Sequence, residues 1–85
     1  MRAMDEDLKS IIEAVLFASD KPLSAEEIRE ALSERVGTPE IRSCLGLLKQ
    51  EHESQKRGFR LVEVAGGFQL VTDPRWAVTL GRFYQ

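Results

Sequence analysis

Cysteine, histidine and tryptophan each occur once among the 85 residues, and this scarcity excludes several kinds of site. A lone cysteine, Cys44, cannot close a disulfide within the chain, which is typical of proteins from a reducing compartment. One histidine and one cysteine are too few ligands for a structural zinc site. We therefore predict a cytoplasmic protein that holds no metal or other cofactor.

Long apolar segments and export signals are absent too. The longest unbroken apolar run covers residues 14–18, whereas a helix needs ~20 apolar residues to cross a bilayer. No basic start is followed by an apolar stretch and a small-residue cleavage site. The sequence therefore predicts neither membrane insertion nor secretion.

The excess of basic residues that phosphate-binding surfaces need is also missing. The chain has 12 Lys and Arg against 14 Asp and Glu, a net charge of −2 at pH 7, and a pI of about 5.4. The negative charge is concentrated in residues 1–37, because the rest of the chain is slightly basic. Proteins that hold nucleic acid mainly through its phosphates usually have a basic pI, so the charge disfavours that class.

The composition fits one small folded domain over residues 1–85. Hydrophobic residues make up 42% of the chain and charged residues 31%, as in ordinary globular domains. A chain of this length buries only ~60% of the surface that it exposes when unfolded. A large active-site cleft between two domains is therefore excluded.

Apolar spacing predicts a first helix that is covered on more than one side. One stripe at helical period comprises Leu8, Ile11, Ile12, Val15 and Leu16. Phe17 lies about 180° from Leu8 around this helix, with Ala14 and Ala18 near it. The last two turns are thus apolar nearly all round, and we expect either the domain itself or a partner to cover them.

Two further helices are predicted before the middle of the chain. Ser24 and Glu27 have the spacing of a capping box, and the inner face of that helix is predicted to comprise Ile28, Ala31 and Leu32. Gly37 is expected in the left-handed region after it, with Thr38 as the N-cap of the next helix and Pro39 in its first turn. The buried stripe of the third helix is predicted to comprise Ile41, Cys44, Leu45 and Leu48.

The hydrophobic period then changes from helical to two. Two runs rich in β-branched and aromatic residues, 59–65 and 68–72, flank Gly66-Gly67. A Gly-Gly pair in that position predicts a hairpin with a two-residue turn, which pairs Glu63 with Leu70. The inward face is predicted to carry Leu61, Phe68 and Leu70.

A fourth helix completes the predicted fold. Asp73-Pro74 is expected to cap it, and large apolar residues then recur at i, i+4 and i+7. Three helices, a β-hairpin wing and an additional C-terminal helix make an α+β, mainly α, winged-helix domain. The segment Pro22-Leu23 occupies the place of a minimal strand in that fold, and we expect Leu23 to bridge to the edge of the hairpin.

Large apolar side chains predict a protein-binding surface, because aromatic anchors are enriched in interfaces. The candidate interface residues are Phe17, Trp76, Leu80, Phe83 and Tyr84. In the alternative interpretation, Trp76 and Leu80 close the core of their own domain against the first helix and the hairpin.

No catalytic centre is apparent in the sequence. His52 follows Leu48 by four residues, which favours a partly buried structural role over that of a ligand or general base. Cys44 lies on the core stripe and is expected to behave as an inert small hydrophobe. Gly66-Gly67 is not followed by a helix N-terminus, unlike the loops that cradle phosphates. We therefore predict that the protein is not an enzyme.

The third helix is also a poor candidate for reading DNA. Base contacts usually come from Arg, Lys, Asn and Gln near the start of such a helix, where the exposed positions here are Glu40, Arg42 and Ser43. The hairpin adds only Arg60 with Glu63. We expect no sequence-specific DNA binding.

The sequence resembles the amino-terminal domain of segregation and condensation protein B. The resemblance begins with residues 8–19 and 21–24 and continues through 57–72, whose Gly-Gly run is its most specific part. Residues 73–77 are similar to that family's entry into its fourth helix. Nearly the whole chain is covered, and residues 26–55 are its generic part.

This resemblance implies a non-enzymatic adaptor that forms a homodimer, binds the kleisin subunit and works with an SMC protein in chromosome condensation and segregation. It implies two winged-helix domains in tandem, of which this chain is the first, and a location at the nucleoid through the complex. It supplies no catalytic or metal-binding residues.

Two other functions remain open at this point. One is a winged-helix transcription regulator, and the other is a structural domain of a larger enzyme. A DNA reader must lose affinity steeply as salt rises, because its phosphate contacts release counterions.

Overall fold

Three helices and one strand enclose the hydrophobic core in the computed structural model, which describes residues 3–32 and 36–85. The described elements are α1 (Ala3–Ala18), α2 (Ala25–Leu32), α3 (Thr38–Ser54), β1 (Phe59–Val64), β2 (Gly67–Thr72), a 3-10 turn (Pro74–Trp76) and α4 (Ala77–Phe83). This order confirms the predicted arrangement of three helices, a hairpin and a fourth helix.

The core consists of aliphatic side chains from α1, α2, α3 and β1. Its largest members are at most 2% exposed and comprise Ile12, Leu16, Ile28, Ile41, Leu45 and Leu61. The predicted stripe of α3 is confirmed, since all four of its members are buried. The predicted inner face of α2 is partly wrong, because Ala31 is exposed and Ala25 is buried instead. Residues 25, 28 and 32 lie within about 60° around the helix, and residue 31 lies outside that sector.

The capping box of α2 is confirmed. The Ser24 amide donates to Glu27 Oε1 at 2.9 Å, and the Glu27 amide donates to Ser24 Oγ at 3.0 Å. The hydrogen bond from the Ser24 backbone favours the charged carboxylate and lowers the pKa of Glu27 below its ordinary value.

The start of α3 differs from the prediction by one residue. Gly37, not Thr38, is the N-cap, and its φ of −82° is extended rather than left-handed. Its amide donates to Glu40 Oε1 at 3.0 Å, so Gly37 caps the start of α3 and does not terminate α2. An N-cap needs extended backbone, which explains why the left-handed expectation fails.

The hairpin forms, but its turn lies one residue earlier than predicted. Ala65 and Gly66 occupy the turn with φ of 50° and 78°, and Glu63 pairs with Phe68 instead of Leu70. The pairing has slipped by two residues, so every side chain keeps its face. Leu61 is therefore buried as expected, and Phe68 and Leu70 pack against the core.

Gly67 explains this register. It lies in β2, where a Cβ atom would stand 3.0 Å from Pro22 Cβ and 3.1 Å from the Leu23 backbone. The predicted Leu23 bridge is confirmed, since the Leu23 amide donates to the Phe68 carbonyl at 2.9 Å and the Phe68 amide donates back at 2.7 Å. The absence of a side chain at residue 67 lets the α1–α2 connection approach the wing.

His52 links three elements from inside the domain. It is 3% exposed, its Nε2 lies 2.7 Å from Glu13 Oε2 of α1, and its Nδ1 lies 3.3 Å from the Phe59 carbonyl oxygen of β1. A second polar contact between α1 and α3 joins Lys9 to Glu51. These contacts support the structural role predicted for His52, whose ring is more deeply buried than expected.

Replacing Gly67 with alanine is expected to destabilise the domain by about 1–3 kcal/mol, because the added methyl group must displace Pro22 or the Leu23 backbone. Urea unfolding followed by circular dichroism measures the change. The matched control is Gly46→Ala within α3, where a Cβ meets nothing within 4 Å and where alanine should stabilise by about 0.5–1 kcal/mol. Equal effects of the two substitutions would contradict this account of the register.

Candidate protein-interaction surfaces

The C-terminal helix stands clear of the hydrophobic core. None of the residues of the 3-10 turn or α4 is buried, and α4 packs chiefly against the turn that precedes it. Trp76 is 43% exposed and Leu80 is half-buried outside the core cluster. The alternative in which these two side chains close the domain's own core is therefore wrong for this chain.

Asp73 anchors the start of this C-terminal segment. Its side chain accepts a hydrogen bond from the Arg75 amide at 2.9 Å, and its own amide donates to the Gly58 carbonyl at 2.9 Å. The hydrogen bond from the Arg75 backbone favours the ionised form and lowers the pKa of Asp73. The predicted Asp73-Pro74 cap is thus present, although the first turn that it caps is a 3-10 turn.

Beyond that anchor the helix presents large apolar side chains to solvent. Phe83 is 75% exposed and Tyr84 is 80% exposed, and their rings meet edge to face at 5.2 Å between centroids. Val78, which sequence analysis missed, is 70% exposed. It falls between the i and i+4 positions of the predicted stripe, so spacing alone did not select it. Val78 lies about 160° around the helix from Leu80, on the other side of α4. We call Trp76, Leu80, Phe83 and Tyr84 the C-terminal patch.

A second apolar surface lies on the side of α1 that faces away from the core. Phe17 is 74% exposed and Ile11 is 49% exposed, and Ala14 and Ala18 are exposed between them. We call these four residues the outer face of α1. Ile11 was predicted in the buried stripe, but it lies about 100° around the helix from the fully buried Ile12. The domain itself does not cover this face. Of the two predicted ways of covering it, contact with a partner therefore remains.

Phe17 borders a shallow depression at the junction of α1 and the hairpin. The depression has a volume of about 270 Å³, and its floor includes Phe59 and Leu70. Glu13 and Arg57 stand at its polar side, and the Arg57 guanidinium lies 6.0 Å from the centroid of the Phe59 ring. The residues that line it include none from α4, and α1 and α4 make no extensive contact in the described structure.

The groove where a winged helix would read DNA has mixed charge. It lies between α3 and the hairpin, encloses about 280 Å³, and is bordered by Arg42, Lys49 and Glu63. Arg42 also contacts Glu26 of α2, with 3.3 Å between Nη2 and Oε2. The one arginine near the start of α3 is thus already partnered by a carboxylate.

Metal-binding clusters and membrane-spanning helices are absent from the described part of the chain. Over 7–32 and 36–85 no three His, Cys, Asp or Glu side chains converge as a metal site would require. Cys44 is buried in the core. Among the described helices, none has the length and apolar character needed to span a membrane.

Comparison with known proteins gives a consistent result. Residues 10–85 match the family model described as segregation and condensation complex subunit ScpB. The chain is 33% identical over 72 residues to segregation and condensation protein B of Clostridioides difficile, which covers 85% of this chain and 40% of that protein. It is 40% identical over 72 residues to the protein of the same name from Alkaliphilus oremlandii, covering 84% of this chain and 38% of that one.

Solved structures share the fold. A crystal structure described as a dimer of the ScpB N-terminal domain complexed with ScpA peptide superposes with a TM-score of 0.82 at 34% identity, covering 92% of this chain and 95% of that one. ScpB from Mycobacterium tuberculosis superposes with a TM-score of 0.88 at 21% identity, over 99% of this chain and 51% of that chain. The winged-helix fold class is thereby confirmed, and this chain spans about 40% of the length of the curated relatives.

Phe83→Asp is expected to leave the folded domain intact, because the side chain is three-quarters exposed and outside the core. The free energy of unfolding should change by no more than about 0.5 kcal/mol when measured by urea titration at a concentration where the chain is monomeric. Leu61→Asp is the control, and it should unfold the chain because it buries an unpaired charge. If Phe83→Asp unfolds the chain, Phe83 is part of the core and this account of α4 is wrong.

Proposed function

The chain belongs to the family of the segregation and condensation complex subunit ScpB, and from that premise we propose that it is a non-enzymatic adaptor of a bacterial SMC–kleisin complex. In this role it forms a homodimer, binds the kleisin subunit and supports chromosome condensation and segregation. The observation that carries the proposal is the solved relative at 34% identity, a dimer of the ScpB N-terminal domain complexed with ScpA peptide.

The physical character of the surfaces supports an adaptor. The C-terminal patch and the outer face of α1 expose aromatic and aliphatic side chains that water solvates poorly. Contiguous exposed apolar patches mark protein-interaction sites, whereas nucleic-acid surfaces are marked by clustered Lys and Arg. We therefore assign binding roles to Phe17, Trp76, Leu80, Phe83 and Tyr84.

The chemistry of the domain supports a role without catalysis. His52 is held by a carboxylate and a backbone carbonyl inside the domain, and the Cys44 thiol is buried among aliphatic side chains. His52 borders an open depression of about 450 Å³ together with Lys56, Arg60 and Asp73, but its ring is only 3% exposed, and Cys44 is buried. We propose that the activity of the chain consists of binding.

The proposal extends to domain organisation and location. Because the chain matches 95% of the solved N-terminal domain and about 40% of full-length relatives, we propose that it corresponds to the first of two winged-helix domains. An adaptor of this complex works in the cytoplasm and meets the nucleoid through its SMC and kleisin partners. Sequence-specific DNA contact is not needed for this role.

The test is to measure binding of the kleisin from the same organism by isothermal titration calorimetry, together with binding to duplex DNA at low and high salt. We expect kleisin binding that persists when Arg42 and Lys49 are both changed to alanine, and no tight duplex binding.

The opposite pattern would favour the transcription regulator. In that case the protein would bind duplex DNA tightly, the affinity would fall steeply with salt, and the double alanine variant would lose it.

A further inference from the structure

We propose that the homodimer forms by reciprocal exchange, in which the C-terminal patch of one copy packs on the outer face of α1 of a second copy. The proposal rests on the homodimer of the proposed function and adds which surfaces meet. In a twofold dimer each such contact occurs twice, since residue i touches residue j and j touches i.

The amount of exposed surface is sufficient for an interface of standard size. A folded monomer of 9.6 kDa is expected to expose about 5,100 Å², whereas this chain exposes 6156 Å². The excess of about 1,000 Å² is close to the roughly 800 Å² that each partner contributes to a standard interface. The radius of gyration is also larger than expected, at 13.8 Å against about 12 Å for a compact chain of 85 residues.

The two surfaces differ in the size of their side chains. The C-terminal patch exposes rings, with Phe83 and Tyr84 each at least three-quarters exposed. The outer face of α1 has small side chains at Ala14 and Ala18, and the lining of the depression beside Phe17 includes Phe59 and Leu70. Small side chains on one helix allow large ones on another to approach closely, and buried rings then supply most of the contact energy.

The charges distinguish cross-pairing from like-with-like pairing. Residues 7–18 carry Asp7, Glu13 and one lysine, whereas residues 74–85 carry Arg75 and Arg82 and no acid. Packing α1 on α1 would bring negative segments together, and packing α4 on α4 would bring positive ones together. Placing α4 against α1 opposes unlike charges, which favours this pairing and suppresses the other two.

The same contact is not made within one copy. In the described structure α4 packs chiefly against the 3-10 turn, and the cap at Asp73 holds that turn at the end of the hairpin. The surfaces that match each other chemically are therefore separate in one chain, and a second copy brings them together.

The test uses two variants of the full chain, Phe17→Asp and Phe83→Asp, each of which damages one of the two surfaces. Either homodimer should dissociate roughly tenfold more readily or worse, because both of its contacts then bury a carboxylate. An equimolar mixture should form a heterodimer that is tighter than either homodimer, because one of its two contacts joins two native surfaces. Sedimentation equilibrium with one variant fluorescently labelled measures all three affinities.

Several outcomes would overturn the pairing. If α1 packs on α1 and α4 on α4, every contact in the heterodimer has one damaged side. The heterodimer will then bind no more tightly than the tighter of the two homodimers. A wild-type chain that is monomeric would contradict both the exchange and the homodimer of the proposed function. A wild-type dimer whose two variants do not complement each other would contradict only the exchange. Leu47→Asp, an equivalent change at a half-exposed position of α3, is the control and should leave the dimer unchanged.

Circular dichroism establishes that each variant is folded. If either variant does not fold, a second pair repeats the complementation experiment at exposed positions. This pair is Ile11→Asp on the outer face of α1 and Tyr84→Asp in the C-terminal patch. Recovery of a tight heterodimer from this second pair supports the exchange, and its absence contradicts it.

Discussion

Closure of the core by Leu61 is the interaction on which the remaining structure depends. This side chain is 2% exposed and joins the aliphatic residues of α1, α2 and α3. The alternation of side chains along β1 turns it inward, and the bridge between Leu23 and Phe68 ties the hairpin to the α1–α2 connection. Because one strand residue completes the core, α4 is left without a buried role in its own domain. Its apolar side chains are then available to a partner.

This distribution explains how a winged helix can serve as an adaptor. DNA-reading members of the fold depend on a basic recognition helix and wing, but here Arg42 is engaged by Glu26 and the adjacent groove includes Glu63. The exposed apolar surface lies elsewhere, on α1 and α4. The chain belongs to the family of the segregation and condensation complex subunit ScpB, and the proposed function requires surfaces that bind other proteins.

Local rules predicted most of the fold from the sequence. Periodicity identified the α3 stripe, and the spacing of Ser24 and Glu27 identified a capping box that the structure contains. The hairpin turn was misplaced because local rules favour glycine at both turn positions, whereas the structure puts Ala65 and Gly66 there and keeps Gly67 where Leu23 approaches. That approach is a contact between distant parts of the chain, which local spacing does not contain.

The candidate surface was predictable in composition but not in arrangement. Large side chains at the C-terminus were visible in the sequence, yet whether Trp76 and Leu80 would enter the core depended on how completely three helices and Leu61 fill it. Ile11 was predicted in the buried stripe of α1 and is exposed for the same reason. A stripe indicates which side of a helix is apolar, and only packing decides which apolar residues remain exposed.

Hydrogen exchange measured at several protein concentrations tests most directly whether a second copy, and not the domain's own core, covers α4. Amides of residues 80–83 should exchange rapidly at concentrations where the chain is monomeric and become protected as the dimer forms. Amides of Leu45 and Leu48 in α3 should stay protected throughout, because the core exists in both states. Strong protection of α4 in the monomer, equal to that of α3, would contradict the account.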